Sequence, residues 1–497
     1  MNTKSKEQRD GAGGRHKIFV LISCCLIMVL HIGLLYAIGI LFTDVMTTFD
    51  STRAETAVIQ STSIGVCLIS GLFTGALINK IGLMAVGISG SLLLNFALMV
   101  CFFASSLTYL IISMGVVGGL GLSCVYISSA AAVSQHFSGR KQILYLSVHA
   151  TGAGIGGMLY PLLIKYLSDL YGFRGALLII GAIGMNATPT CFLWKHHSNT
   201  TKPQKCVEVT NQIDEFQTLF EVKTEDSDEI ITIEKLKQSP STEVYDSVYV
   251  SQYPVQQGDT KTKTVIVQGP GNKSTHLKKS KPGQTLSESF RHILHNKSFI
   301  FFVFGMVSLT PCITMMIIFV ADIYKDNGLT NDDVSLGLLL LNVMSTVGRL
   351  LLGMIMQSTR IPTLVLPLLN AVLSAGLIFS FILVKSRWLL IVLSGAIGMP
   401  VGVFASMLTV VTQKLVGSDL LPIALGTFFT FNGICQVVAG PVNGYIRDVT
   451  GSYIAIFYIA TGICLVGAVI FFFAHITRRR KKHDIKRRSS VFYLTNF

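Results

Sequence analysis

Charge is what this chain has least of. Asp, Glu, Lys and Arg make up 13% of its 497 residues, against about 25% in an ordinary soluble domain. Apolar residues make up 51%, and the mean hydropathy is +0.59. That balance excludes a soluble enzyme and points to a chain that crosses a membrane many times. Paired cysteines are lacking too. Nine of the ten cysteines lie in apolar runs (Cys24, Cys25, Cys67, Cys101, Cys124, Cys191, Cys312, Cys435, Cys464). None shows a paired metal-ligand spacing, so they read as small buried apolar residues. No nucleophile–base set or metal cluster stands outside the apolar runs, so we expect no catalysis and no cofactor. Nor is a cleavable signal peptide expected. The first apolar run, 18–43, is 26 residues long, more than a typical signal core.

What is present is a series of windows free of charge, save for Arg349 inside one of them. A bilayer core needs roughly 20 apolar residues per helix. The windows are 18–43, 56–79, 81–139, 142–164 and 175–194, then 298–321, 334–359, 361–384, 388–413, 420–446 and 449–477. The 81–139 window is long enough for two spans with a turn at Ser105–Thr108, so the expectation is an all-α membrane protein with twelve spans in two halves of six, numbered here in chain order. The halves are 18–194 and 298–477, which reads as two parallel structural repeats. Tails of 1–17 and 478–497 flank them. The stretch 195–297 is rich in Pro, Ser, Thr and Gln with mixed charge and is expected to be a largely disordered loop.

The formal charge of +14 invites a nucleic-acid reading, but its distribution points elsewhere. With the N-terminus in the cytosol, inside segments carry 32 Lys and Arg and outside segments 7; without the long loop the ratio is still 18 to 7. Short cytosolic loops of membrane proteins carry this excess. Both termini are therefore expected in the cytosol, with no nucleic-acid partner. The run Arg478–Lys482 would also meet anionic membrane lipid. Three glycosylation sequons, at Asn199, Asn272 and Asn296, lie in or beside the cytosolic loop and are expected to be unused.

Arg349 is the sharpest functional signal. It lies inside the eighth span, ten residues before Thr359, about 15 Å of helix from the interface. A guanidinium at that depth usually faces a partner or a water-filled cavity, and its planar fork suits a carboxylate. His31, Tyr36, His149 and Asn342 are the other candidate lining residues, the histidines because they donate hydrogen bonds or titrate near neutrality. Ser345, Glu55, Arg140, Lys141 and Asp322 are candidate gating or coupling positions. Gly152–Gly157 contains a literal G-x-G-x-x-G, but it sits in an uncharged span rather than after a strand. Close helix packing is expected there, and at Gly115, Gly118, Gly119 and Gly121. Pro311 and Pro441 are expected to kink spans 7 and 11.

The two-half pattern, with Gly75–Gly82 as a loop motif whose usual acid is replaced by Asn79, resembles the major facilitator superfamily. More closely, the chain is similar to the monocarboxylate transporter family. That likeness rests on Gly39–Phe42, Ser51–Thr56, His136–Lys141 with the glycines after it, Gly348–Arg349, and above all Ala439–Tyr453. It implies a facilitator fold and alternating-access transport of small organic acids at the plasma membrane. For some members it also implies a single-span immunoglobulin-type accessory glycoprotein. The chain departs from the family in three places. The tryptophan-bearing motif before span 1 is reduced to Asp10–Gly14. Leu34, Leu35, Tyr36 and Ile40 occupy the region of the lysine that proton-coupled lactate carriers have late in span 1. Ser345 takes the place of their aspartate four residues before the arginine. The anion anchor survives and the proton relay is broken, the pattern of a divergent member or a uniporter. Two rivals stay open: a carrier of an amino acid, thyronine-like or creatine-like solute, and a membrane sensor that binds but does not transport.

Overall fold

In hydrocarbon every backbone N–H and C=O must find its partner within the segment, so uncharged windows of this length fold as helices. The structure, a computed structural model, describes residues 3–35, 37–195, 286–359, 361–450 and 453–494. Among them there is no strand. Eight helices are long and apolar enough to cross a bilayer, or nine with one bent pair counted as a span. Two of these spans are bridged as one in that count: the helix Gly139–Met185 breaks at Gly172, where φ is 68°. The 30-residue helices Lys297–Asp326 and Leu421–Thr450 occupy the seventh and eleventh places. The order of elements thus follows the twelve expected spans.

Boundaries differ from the windows in instructive ways. Span 1 is discontinuous: the helix Thr3–Ile27 runs into a π-turn at Met28–Ile32, a short helical piece Gly33–Leu35, and then a 3₁₀ turn at Ile38–Leu41. Span 2 is the helix pair Arg53–Ile69 and Gly71–Ile81, bent by 49° at Ser70. Spans 3 and 4, Leu83–Val100 and Gly118–His136, are joined through a turn at the expected place, where the Ser106 hydroxyl accepts from the Tyr109 N–H. Spans 5 and 6 were expected to separate over the polar link 165–174. The link instead stays helical to Tyr171 because its residues tolerate helix, and only Gly172 breaks it, with a positive φ of 68° and an extended ψ of 171° that glycine alone adopts readily. Spans 8, 9 and 10 are Asn331–Ser358, Val365–Leu383 and Arg387–Val416.

The tails also differ. The first and last helices, Thr3–Ile27 and Tyr453–Leu494, run through the expected tail boundaries. A change from apolar to basic residues does not break a helix unless Gly or Pro accompanies it. A further helix, Leu286–Leu294, lies inside the stretch expected to be a loop. The rest of that stretch, 196–285, with Asn199 and Asn272, lies outside the described residues. The helices through Pro311 and Pro441 are each continuous elements.

Residues 1–196 and 280–484 form one compact unit. The second unit, 197–279 with 485–497, contributes only the end of the last helix to the described residues. Large apolar side chains such as Phe103, Leu162 and Leu383 are exposed on the bundle, as a lipid-facing surface requires. Glycines set the helix spacing. Gly156 abuts Gly33 and Val29, Gly152 abuts Cys25 and Met28, and Gly121 abuts Gly90 and Leu94. The G-x-G-x-x-G run is thus a packing stripe between spans 5, 1 and 8.

Candidate functional site

Span 8 starts from a well-made N-terminus. Thr330 and Asp333 form a capping box, and the Asp333 carboxylate accepts two bonds from Arg387 at 2.9 and 2.7 Å. An acid in the first turn satisfies orphan N–H groups and complements the helix dipole. It also ties the start of span 8 to the start of span 10. Further along, glycines bring the two helices together: a Cβ on Gly398 would meet the Leu341 carbonyl, one on Gly348 the Met399 carbonyl, and one on Gly402 the Ser345 carbonyl. On its other side span 8 meets span 5 through Gly154 against Thr346 and Gly353 against Ser147.

Arg349 sits between those two small-residue contacts. It is 4% exposed and, among the described residues, the one Lys or Arg in the buried set. Its Nη1 donates to the Ala150 carbonyl of span 5 at 2.8 Å, and its own carbonyl accepts from the Ser406 hydroxyl of span 10 at 3.3 Å. The guanidinium therefore reaches from the second half into the first, in the middle of both helices.

His149, the residue before that acceptor, is fully buried. Its Nε2 pairs with the Ser129 hydroxyl of span 4 at 2.9 Å, while its Nδ1 has no hydrogen-bond partner. Its ring stands edge-on to Tyr126, centroids 6.4 Å apart, and Tyr126 in turn packs on Phe429 of span 11 at 4.9 Å. Arg349 and His149 thus converge on one stretch of span 5. Asn342 and Ser345, seven and four residues before Arg349, fall on nearly the same helix face. Asn342 is half-buried and its amide donates to the Leu338 carbonyl at 3.0 Å. Ser345 is buried under Gly402.

His31 is elsewhere. It is 1% exposed and belongs to a polar cluster of spans 1, 3 and 6. Its Nδ1 lies 3.2 Å from the Ile27 carbonyl and its Nε2 3.2 Å from the Asn95 amide nitrogen. A carbonyl only accepts and an amide nitrogen only donates, so the neutral Nδ1–H tautomer fits both. Ser91 joins the same Nε2 at 3.3 Å and reaches Thr188 at 2.7 Å. The adjoining cavity, lined by Leu34, Leu35, Ile38 and Ser63, has a volume of about 10 Å³, room for about one water and far below the roughly 300–1,000 Å³ of a ligand pocket. The structure does not bring His31 to Arg349.

The other candidates divide. Glu55 is exposed and completes a capping box with Thr52 at the start of span 2. Lys141 is exposed in the first turn of span 5. Tyr36 lies outside the described residues, as do the side chains of Arg140 and Asp322. Asn296 is engaged: its amide donates to the Leu415 carbonyl at 3.1 Å and its oxygen accepts from the Phe299 N–H at 3.4 Å.

Charge-based reading missed the neutral polar residues. Ser129 beside His149, the Ser91–Asn95–Thr188 cluster, and Gln142 and Gln413 carry no charge, so nothing in the charge pattern marks them within their windows. A Gln or Asn within a span is the signal that would have found several of them.

Comparison with known proteins agrees with this architecture. The family model for the Major Facilitator Superfamily matches residues 24–440 and 301–495. Monocarboxylate transporter 9 of Gallus gallus is 25% identical over 455 residues, covering 88% of each chain. Monocarboxylate transporter 14 of Homo sapiens is 26% identical over 461 residues, covering 90% of this chain and 88% of that one. The motif resemblance to that family is thereby borne out, at the low identity of a divergent member. Among solved structures, a Major Facilitator Superfamily transporter, FucP, in the outward conformation superposes with a TM-score of 0.61 at 13% identity, covering 92% of this chain and 98% of that one.

Proposed function

The chain belongs to the major facilitator superfamily, and from that premise we propose that it is a secondary transporter of a small carboxylate-bearing solute, with Arg349 as the anion anchor. It is a multi-pass membrane transporter and not an enzyme. The observation that carries the carboxylate reading is the Arg349 guanidinium, buried at mid-span and directed across the boundary between the two six-helix halves. Substrate sites of repeat-built transporters lie at that boundary, near the bilayer midplane. An arginine there offers parallel N–H donors, which a carboxylate accepts in pairs. His149, with a buried Nδ1 facing no partner, is the second polar contact for the solute. The relatives named monocarboxylate transporters support the same substrate class.

Alternating access follows as the mechanism: one half rocks on the other about Arg349, while the glycine stripes allow the helices to slide at close range. The excess of basic residues on one side supports cytosolic termini, and the family resemblance supports a plasma-membrane location. The run Arg478–Lys482 would rest on anionic lipid. An immunoglobulin-type accessory glycoprotein is a partner to test by coexpression, with surface abundance as the readout.

The deciding experiment is a radiolabelled uptake panel in an expressing cell, covering monocarboxylates, amino acids, creatine-like and thyronine-like solutes. Saturable accumulation of a carboxylate, lost in Arg349→Ala at equal surface abundance, is the expected result. Binding without accumulation would instead make the protein a sensor, and uptake untouched by Arg349→Ala would end the anchor reading.

A further inference from the structure

At the end of the bundle that carries the basic excess, four neutral side chains join the two halves. The span 4 helix stops at His136, so the Ser134 carbonyl in its last turn has no acceptor role left within the helix. Two donors supply one: the Gln142 amide of span 5 at 2.6 Å and the Ser418 hydroxyl, from the turn after span 10, at 3.3 Å. The Ser134 hydroxyl donates to Gln413 Oε1 of span 10 at 2.7 Å. Gln413 Nε2 donates to the Ser418 hydroxyl at 2.8 Å, and Gln142 Nε2 lies 3.1 Å from that same hydroxyl. Ser134 and Gln413 are 1% and 6% exposed. The two strands of this cluster are separated by about 280 residues of sequence but close a single ring of bonds.

Two backbone turns place it. Gly417, with φ 84°, ends span 10 and swings Ser418 back toward the first half, and Gly139, with φ 70°, opens span 5 so that Gln142 lies one turn in. The bonds use every hydrogen-bonding atom of the Gln413 amide group that faces Ser134 and Ser418. No member of the ring carries a charge.

We propose that Ser134, Gln142, Gln413 and Ser418 form a charge-free latch that holds this end of the two halves closed, and that its release sets how often the bundle opens there. A ring of buried neutral bonds suits a gate that must open in every cycle. Each bond is modest in net strength, and no ion pair has to be stripped of its partner and re-solvated. The latch does not depend on what the solute is, so it stands or falls separately from the anion reading.

The test is hydrogen–deuterium exchange on the full-length protein in lipid nanodiscs. Gln413→Met keeps the length of the side chain and removes the amide. It should raise exchange in peptides covering 130–142 and 411–420 by about tenfold, the loss expected for one to two net hydrogen bonds, while peptides at the opposite end, 44–56 and 326–335, do not gain exchange. Ser418→Ala should act the same way and Ser418→Thr, which keeps the hydroxyl, should retain protection. This pair keeps the test decisive if Gln413→Met folds poorly. Protection of the two peptides should also be unchanged between low and high salt. Unchanged exchange in both Gln413→Met and Ser418→Ala would overturn the latch, and so would protection that collapses in high salt, since ionic contacts would then be holding this end shut.

Discussion

Arg349 illustrates how much one position can carry when its surroundings are apolar. Its depth is legible in the sequence, but its direction is not: a helix of small residues presents the guanidinium equally well to lipid, to span 10 or to span 5. The glycine contacts decide for span 5. If the anchor reading holds, Arg349→Lys keeps the charge and loses the fork, so uptake should fall strongly while the protein reaches the surface. Arg349→Ala should abolish it. A lost charge-assisted contact costs about 1.5–3 kcal/mol, roughly ten- to a hundredfold in affinity, read as a rise in KM at measured surface density. His149→Gln retains one donor and one acceptor, so it should weaken uptake less than His149→Leu; equal uptake in both would remove His149 from the site. His31→Gln, by contrast, belongs to a cluster internal to the first half and should alter thermal stability while leaving the KM of the surface-expressed protein unchanged.

Among elements, the bend in span 2 shows how the halves support each other's irregularities. The break at Ser70 frees the Ile69 carbonyl and the Leu72 N–H from the helix ladder. The Thr430 hydroxyl of span 11 reaches both, accepting from the Leu72 N–H at 3.1 Å and sharing its one proton between the Ile69 carbonyl at 3.0 Å and its own helix's Gly426 carbonyl at 3.1 Å. In a bilayer, where no water replaces it, a backbone group left without its bond is costly. Thr430→Val, nearly the same shape, should therefore lower the melting temperature of the purified protein, and Thr430→Ser should restore most of it. A valine variant that melts with the parent would show that other groups satisfy the bend. The contact of spans 8 and 10 is less forgiving. Any side chain on Gly402 would enter the space of the Ser345 carbonyl. Overpacking of this kind costs about 1–3 kcal/mol or more, so Gly402→Val should reduce surface abundance severalfold, while Gly376→Ala, in open space, should not.

For the whole molecule, orientation and coupling are the properties to measure. The charge bias predicts that epitope tags at Met1 and Phe497 are reached by antibody only after permeabilisation; labelling of either on intact cells would reverse the topology. Coupling is predicted from what is missing. Ser345 stands where proton-coupled relatives carry an acid, and no lysine lies late in span 1. The ion pair of Asp333 with Arg387 lies in the first turn of span 8, sixteen residues before Arg349. Uptake at clamped membrane potential should then respond weakly to external acidification. A severalfold stimulation would restore proton coupling, with His149 as the first residue to substitute.

Composition and periodicity alone determined the class, the number and order of spans, the division into halves, the expected inside face and the depth of Arg349. These follow from one dominant cost, that of placing charge or an open backbone in hydrocarbon, and that cost is written locally along the chain. Local punctuation was legible less evenly. The turn at Ser105–Thr108 was found, whereas the helical link to Tyr171, the unbroken terminal helices and the bend at Ser70 were not, because helix continues through polar residues wherever no breaker intervenes. Only the tertiary structure decided which face Arg349 presents, that His149 shares its stretch of span 5 while His31 belongs to spans 3 and 6, and that Gln142, Ser134, Gln413 and Ser418 meet. Those facts depend on which helices adjoin. Adjacency is set by small residues distant in sequence fitting against each other's backbones, and no local pattern records that fit.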